Sequence, residues 1–100
     1  MPHKIRPTLT LARRAWLEQL EGGPAKRRRG RAGFDCMTLG WTDWLLLDTI
    51  SGQRITMTEA QAAHGKPIFV NAPHISFADN MEIITDEGRR VLAEARSADK

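Results

Sequence analysis

One hundred residues, 41% of them hydrophobic and 27% charged, suit a single folded domain with one modest core and exclude a compositionally disordered chain. A lone cysteine, Cys36, closes no intrachain disulfide, and the longest apolar run, Trp44–Leu47, falls far short of the roughly 20 residues a membrane helix needs. The net charge of +3 is divided unevenly, with residues 1–31 summing to +7 and residues 32–100 to −4. This predicts a face made for an anionic partner, unless the two halves compensate each other within the fold. The basic N-terminus is followed by no long apolar segment, so the expectation is a cytoplasmic protein with neither a secretory signal nor a membrane partner.

In chain order, Pro2 and Pro7 bracket a short arm over residues 1–7. Thr8 or Thr10 then offers a hydroxyl N-cap to a helix whose apolar residues Leu9, Ala12, Trp16 and Leu20 recur at helical spacing. Gly22-Gly23-Pro24 ends it. Lys26-Arg27-Arg28-Arg29-Gly30-Arg31 packs five cations into six residues, which predicts a solvated, mobile stretch unless a partner neutralises it. A short helix is expected over Ala32–Leu39, with Gly40 just past its end and Trp41 closing the apolar contact that accompanies such a stop.

Trp41–Leu47 reads as a strand, with a helix from Thr42 as the alternative. Ser51-Gly52 marks a turn and Arg54-Ile55-Thr56 a return strand. Thr58-Glu59-Ala60-Gln61 has capping-box spacing for a helix stopping at Gly65. Residues 66–80 predict irregular structure, with Ile68–Val70 as a short strand and Asn71-Ala72-Pro73 as a turn. Met81–Ile84 is a strand, and Thr85 caps a last helix that buries Val91, Leu92 and Ala95 and frays over residues 97–100. The dipeptide Ile-Thr precedes a helical start twice, at 55–56 and 84–85.

Two segments carry a resemblance. Ile83-Ile84-Thr85-Asp86-Glu87-Gly88-Arg89-Arg90-Val91-Leu92 resembles the strand–Leu-Thr-x-x-Gly-x-x-x-Leu–helix ending of many winged-helix transcription regulators, in which the threonine caps the helix after the wing and the glycine permits its close approach to a neighbour. Leu39-Gly40-Trp41 is similar to the junction that follows the recognition helix in that family. Together the two pieces resemble small phage and prophage proteins. The resemblance covers about a third of the chain. It implies an α+β, winged-helix-like domain spanning residues 1–100, with three to four helices, a small antiparallel sheet and a long insertion between the wing strands. The chain departs from the pattern in three places. Gly22–Gly40 has room for one helix and a fragment rather than two helices, 33 residues (48–80) separate the strands, and Asp35 lies in the helix that would read bases.

The expected function is that of a non-catalytic DNA-binding accessory or regulatory protein. Lys26, Arg27, Arg28, Arg29 and Arg31 would meet phosphates, because closely spaced cations release condensed counterions from a polyanion. Arg13 and Arg14 would extend the basic stripe, or else form the wet face of the first helix. The expected partner class is double-stranded DNA, with no small-molecule substrate. The alternative is a protein–protein adaptor or homodimer of phage origin, motivated by the apolar excess of Trp44–Leu47 with Phe69 and Phe77. Trp16, Trp41 and Trp44, with Phe34, Phe69 and Phe77, are expected in the core. Cys36, His3, His64 and His74 lack metal-ligand spacing, and Asp43 and Asp48 have nothing to tune them as an acid–base pair, so neither a metal, a cofactor nor an enzyme is expected.

Overall fold

The computed structural model describes residues 8–27 and 30–99; the expected arm over 1–7, Arg28, Arg29 and Lys100 lie outside the described residues. Thr10 starts the first helix, α1 (Leu11–Glu21), its hydroxyl accepting the amide of Arg13. Strand β1 is only Ala25–Lys26. Helix α2 (Arg31–Thr38) stops as the sequence predicts: Gly40 takes φ 80°, its amide reaches Met37 O, and the amide of Trp41 reaches Cys36 O. Those two bonds form a Schellman closure, and Trp41 and Cys36 share one buried cluster.

Strands β2 (Thr42–Asp48) and β3 (Arg54–Thr56) form a hairpin. Helices α3 (Met57–His64) and α4 (Ile68–Asn71) follow, then β4 (Ile75–Ile84) and α5 (Asp86–Ala98). The result is an α+β fold of five helices and an open antiparallel sheet in the order β1-β4-β2-β3. The strands expected at Trp41–Leu47 and Met81–Ile84 do pair, as β2 and β4, and β3, α3 and α4 lie between them in the chain.

Several local expectations need correction. The capping box belongs to Thr56, whose hydroxyl accepts the Glu59 amide while the Glu59 carboxylate accepts the Thr56 amide; Thr58 lies inside α3. Ile68–Val70 is helical rather than extended. Residues 66–80 are not all irregular, because β4 begins at Ile75. It escapes notice because its register against β2 jumps from Leu45↔Met81 to Leu47↔Ser76, and Asp79 within the irregularity takes φ 74°. Helix α5 runs to Ala98, and Asp99 lies 2.8 Å from Arg14.

Directly opposed residues of antiparallel strands share a sheet face. Ala25, Glu82 and Trp44 form one such row, Ile84 and Thr42 the next. That face is covered by two apolar clusters. One joins Trp16, Leu17, Leu20, Cys36, Trp41, Ile84 and Leu92 beneath α1, α2 and α5. The other joins Leu46, Ala60, Ile68, Ala72 and Ile75 beneath α3 and α4. Trp44 and Phe77 meet edge to face at 5.1 Å beside the second. Trp16 and Trp41 are core as expected, but Phe34 and Phe69 are exposed, each on the outer side of a short helix.

Candidate nucleic-acid interface

The basic run crosses from the sheet edge to the start of α2. Ala25 faces the helix layer, so Lys26 faces the other way; Lys26 is exposed, and no carboxylate among the described residues lies within ion-pair distance of it. Arg27, two residues after Ala25, returns to the inner face, where its guanidinium lies 4.8 Å over the Trp44 ring. Gly30, with φ 138°, is the N-cap of α2 and has no side chain to cap it. Arg31 then stands at the first turn with its side chain 91% exposed, 3.7 Å from Asp35. A contact that open leaves Arg31 screened by solvent and ready to exchange partners. Arg31 also lies at a groove of about 510 Å³ between α1 and α2, lined by Ala12, Ala15, Trp16, Gly30, Ala32 and Gly33.

Arg13 and Arg14 have different surroundings. Arg13 binds Asp35 at 3.0 Å and donates to Thr8 O, holding α1 to α2. Arg14 binds Asp99 at 2.8 Å and Glu18 at 3.6 Å. On the same side Arg96 reaches Glu21 at 2.7 Å and Glu18 at 3.7 Å. The hydrogen bond from Arg96 holds the Glu21 carboxyl below its usual range. The outer face of α1 is therefore a mixed-sign network with α5, and the positive surplus of residues 1–31 falls on the run at 26–31 together with Lys4 and Arg6. Of the expected contact residues, Lys26, Arg27 and Arg31 fall in the described part of that run, whereas Arg13 and Arg14 serve interhelix pairs.

A carboxylate that the sequence reading passes over lies behind the run. Glu82 is fully buried at the centre of the sheet, between Ala25 on β1 and Trp44 on β2, and neither of its oxygens has a hydrogen-bond partner among the described residues. Trp16 Nε1 and Thr42 Oγ1 are likewise buried without partners. Burial pushes the Glu82 carboxyl above its ordinary pKa, and the positive charge of Arg27 pulls it back. The signal was present in the sequence: Glu82 alternates in phase with Ile84, a buried residue of its strand.

Cys36 and the described histidines lie in separate places. Burial raises the Cys36 thiol to about 11, so it stays protonated and packs as a small apolar group. His64 and His74 stack edge to face at 5.5 Å, and His74 lies 3.9 Å from Asp48, at the opposite end of the sheet from Cys36. No group of three His, Cys, Asp or Glu among the described residues is placed to hold a metal ion. No described helix is long and apolar enough to cross a membrane.

No protein-family model, curated protein or solved structure matches this chain. Its functional reading therefore rests on its own residues.

Proposed function

We propose that this chain is a non-catalytic, winged-helix-like DNA-binding accessory or regulatory protein of phage type, acting in the cytoplasm on double-stranded DNA. Lys26, Arg28, Arg29 and Arg31 hold backbone phosphates, and α2 beside them enters or flanks a groove. The observation that carries this reading is the contrast between the two sets of cations. Arg13 and Arg14 are each tied to a carboxylate, while the run ends in an exposed Lys26 and a 91% exposed Arg31. Charge that is unpaired among the described residues, as at Lys26, or held only in an open, solvent-screened pair, as at Arg31, is what a polyanion can replace counterions at. The β2–β4 pair and the Thr85–Gly88 helix start support the winged-helix layout. Titration of a DNA duplex at several salt concentrations, with the four named residues replaced by serine, tests it. Loss of affinity with a flatter salt slope is expected, and an unchanged slope rules the contacts out.

A second reading has its own observation. Phe69 and Val70 on α4 are 72% and 63% exposed, next to an apolar groove of about 290 Å³ lined by Met57, Gln61, Lys66, Pro67, Ile68 and Phe77. Apolar surface gathered in this way suits an adaptor or a homodimer. Sedimentation across a range of protein concentrations separates the two: a mass that rises with concentration and falls on Phe69→Ser supports self-association.

A further inference from the structure

We infer that Arg27 is the fastening of the basic run rather than one of its phosphate contacts: Glu82 and Trp44 hold its guanidinium on the inner face of the sheet, and protonation of Glu82 loosens it. The geometry starts from the register. Ala25, Glu82 and Trp44 lie in one row across β1, β4 and β2, on the helix-covered face. Arg27 is two residues beyond Ala25 and so projects from the same face. Its guanidinium lies 4.8 Å over the Trp44 ring, and although it makes neither an ion pair nor a hydrogen bond with the Glu82 carboxylate, its charge acts on that carboxylate across β4.

Strand β1 needs such a fastening. It has two residues at the sheet edge, paired only through Ala25↔Glu82 and Lys26↔Met81. A pairing that short is weak by itself. Glu82, in turn, favours a cation when it is ionised, since it is fully buried and neither oxygen has a hydrogen-bond partner among the described residues. Among the described residues, the groups around it leave Arg27 as that cation. From α1 it meets Trp16, whose Nε1 lies near but short of hydrogen-bond geometry; β2 supplies Thr42 and Trp44. From α2 it meets Cys36, whose thiol is neutral, with Arg13 and Asp35 paired to each other beyond it. Helix α5 contributes the apolar Val91 and Leu92 to the same cluster. Burial raises the pKa of Glu82, so its protonation comes at a higher pH than for an exposed glutamate. Above that pH the ion attraction and the ring hold Arg27 together; below it only the ring remains. The consequence for DNA, that acidification loosens the anchor of the run, rests on the function proposed above. The fastening itself does not.

The test uses the whole chain without nucleic acid, so its failure is distinct from a failure to bind DNA. Ring-current shifts of the Arg27 side chain over Trp44, the Glu82 carboxyl resonance and amide exchange at residues 25–27 are followed by NMR from pH 4 to 9. The Arg27 shifts should move toward free-arginine values along the same titration as Glu82. Arg27→Gln should raise the Glu82 midpoint by about one pH unit and speed exchange at residues 25–26, corrected for intrinsic rate, by about tenfold. Glu82→Gln should abolish the pH dependence of the Arg27 shifts. Should Glu82→Gln not fold, Arg27→Gln, at a half-buried position, carries the test alone. Arg27 shifts that do not change with pH in the natural protein, or a Glu82 midpoint that Arg27→Gln leaves in place, overturn the inference.

Discussion

Gly88 lies directly against the backbone of Trp41: a Cβ added to it would sit 2.2 Å from the Trp41 carbonyl oxygen and 2.8 Å from Ile84 Cγ1. Helix α5 can approach the α2–β2 junction this closely only because nothing projects from residue 88. Neither neighbour can yield easily, since one is backbone and the other is core. Gly88→Ala should therefore destabilise the fold by about 3 kcal/mol, read as a lower midpoint in urea, although alanine is the better helix former.

Thr85 secures the same junction from the other side. Its hydroxyl accepts the Gly88 amide and donates to Gly40 O at 2.6 Å, and its own amide bonds Trp41 O. One side chain thus caps α5 and closes the end of α2. Thr85→Ala should cost about 1–2 kcal/mol, and Thr85→Ser should restore most of it, because the lost element is the hydroxyl.

Glu82 gives stability an unusual pH dependence. Its folded-state pKa is raised by burial, so between the unfolded value near 4.5 and the folded value the native state binds more protons than the unfolded chain. Its contribution to stability therefore falls as pH rises through that window and levels off above it. Urea unfolding of Glu82→Gln against the natural protein should show the variant gaining stability relative to the natural chain on going from pH 4 to pH 8. A difference that stays constant across that range would mean Glu82 ionises like an exposed carboxylate.

The two arginine sets should separate in binding and stability. Replacing Lys26, Arg28, Arg29 and Arg31 with serine should lower the salt slope of DNA binding by roughly 0.9 per lost phosphate contact, with little change in unfolding midpoint. Arg14→Ser, which breaks the link to Asp99 and Glu18, should leave that slope within error and loosen the end of α5, seen as faster amide exchange at residues 95–98.

Polar replacement at Phe69 and Val70 should leave stability within about 0.5 kcal/mol, since both side chains already face solvent. Ile68→Ala, one residue away and buried, should cost about 2–4 kcal/mol. Thermal unfolding of the three variants checks the orientation of α4.

What the sequence determined by itself was what local chemistry controls. Thr10, the Gly40–Trp41 stop, the β2–β3 hairpin and the Thr85 cap each act through bonds within about five residues or through an apolar period, and both are visible along the chain. Even the misplaced capping box was legible, since Thr56 and Glu59 have the required spacing and Ile-Thr precedes both helices. Tertiary structure alone decided which cations are spent. Arg13 meets Asp35 22 residues away and Arg96 meets Glu21 75 residues away, so no local pattern distinguishes them from Arg31. It also decided that Glu82 is enclosed, because only sheet pairing brings Ala25 and Trp44 to either side of it, and only helix packing takes away its water. A charge reveals its sign in the sequence, but its solvation and its partner exist only once distant segments have met.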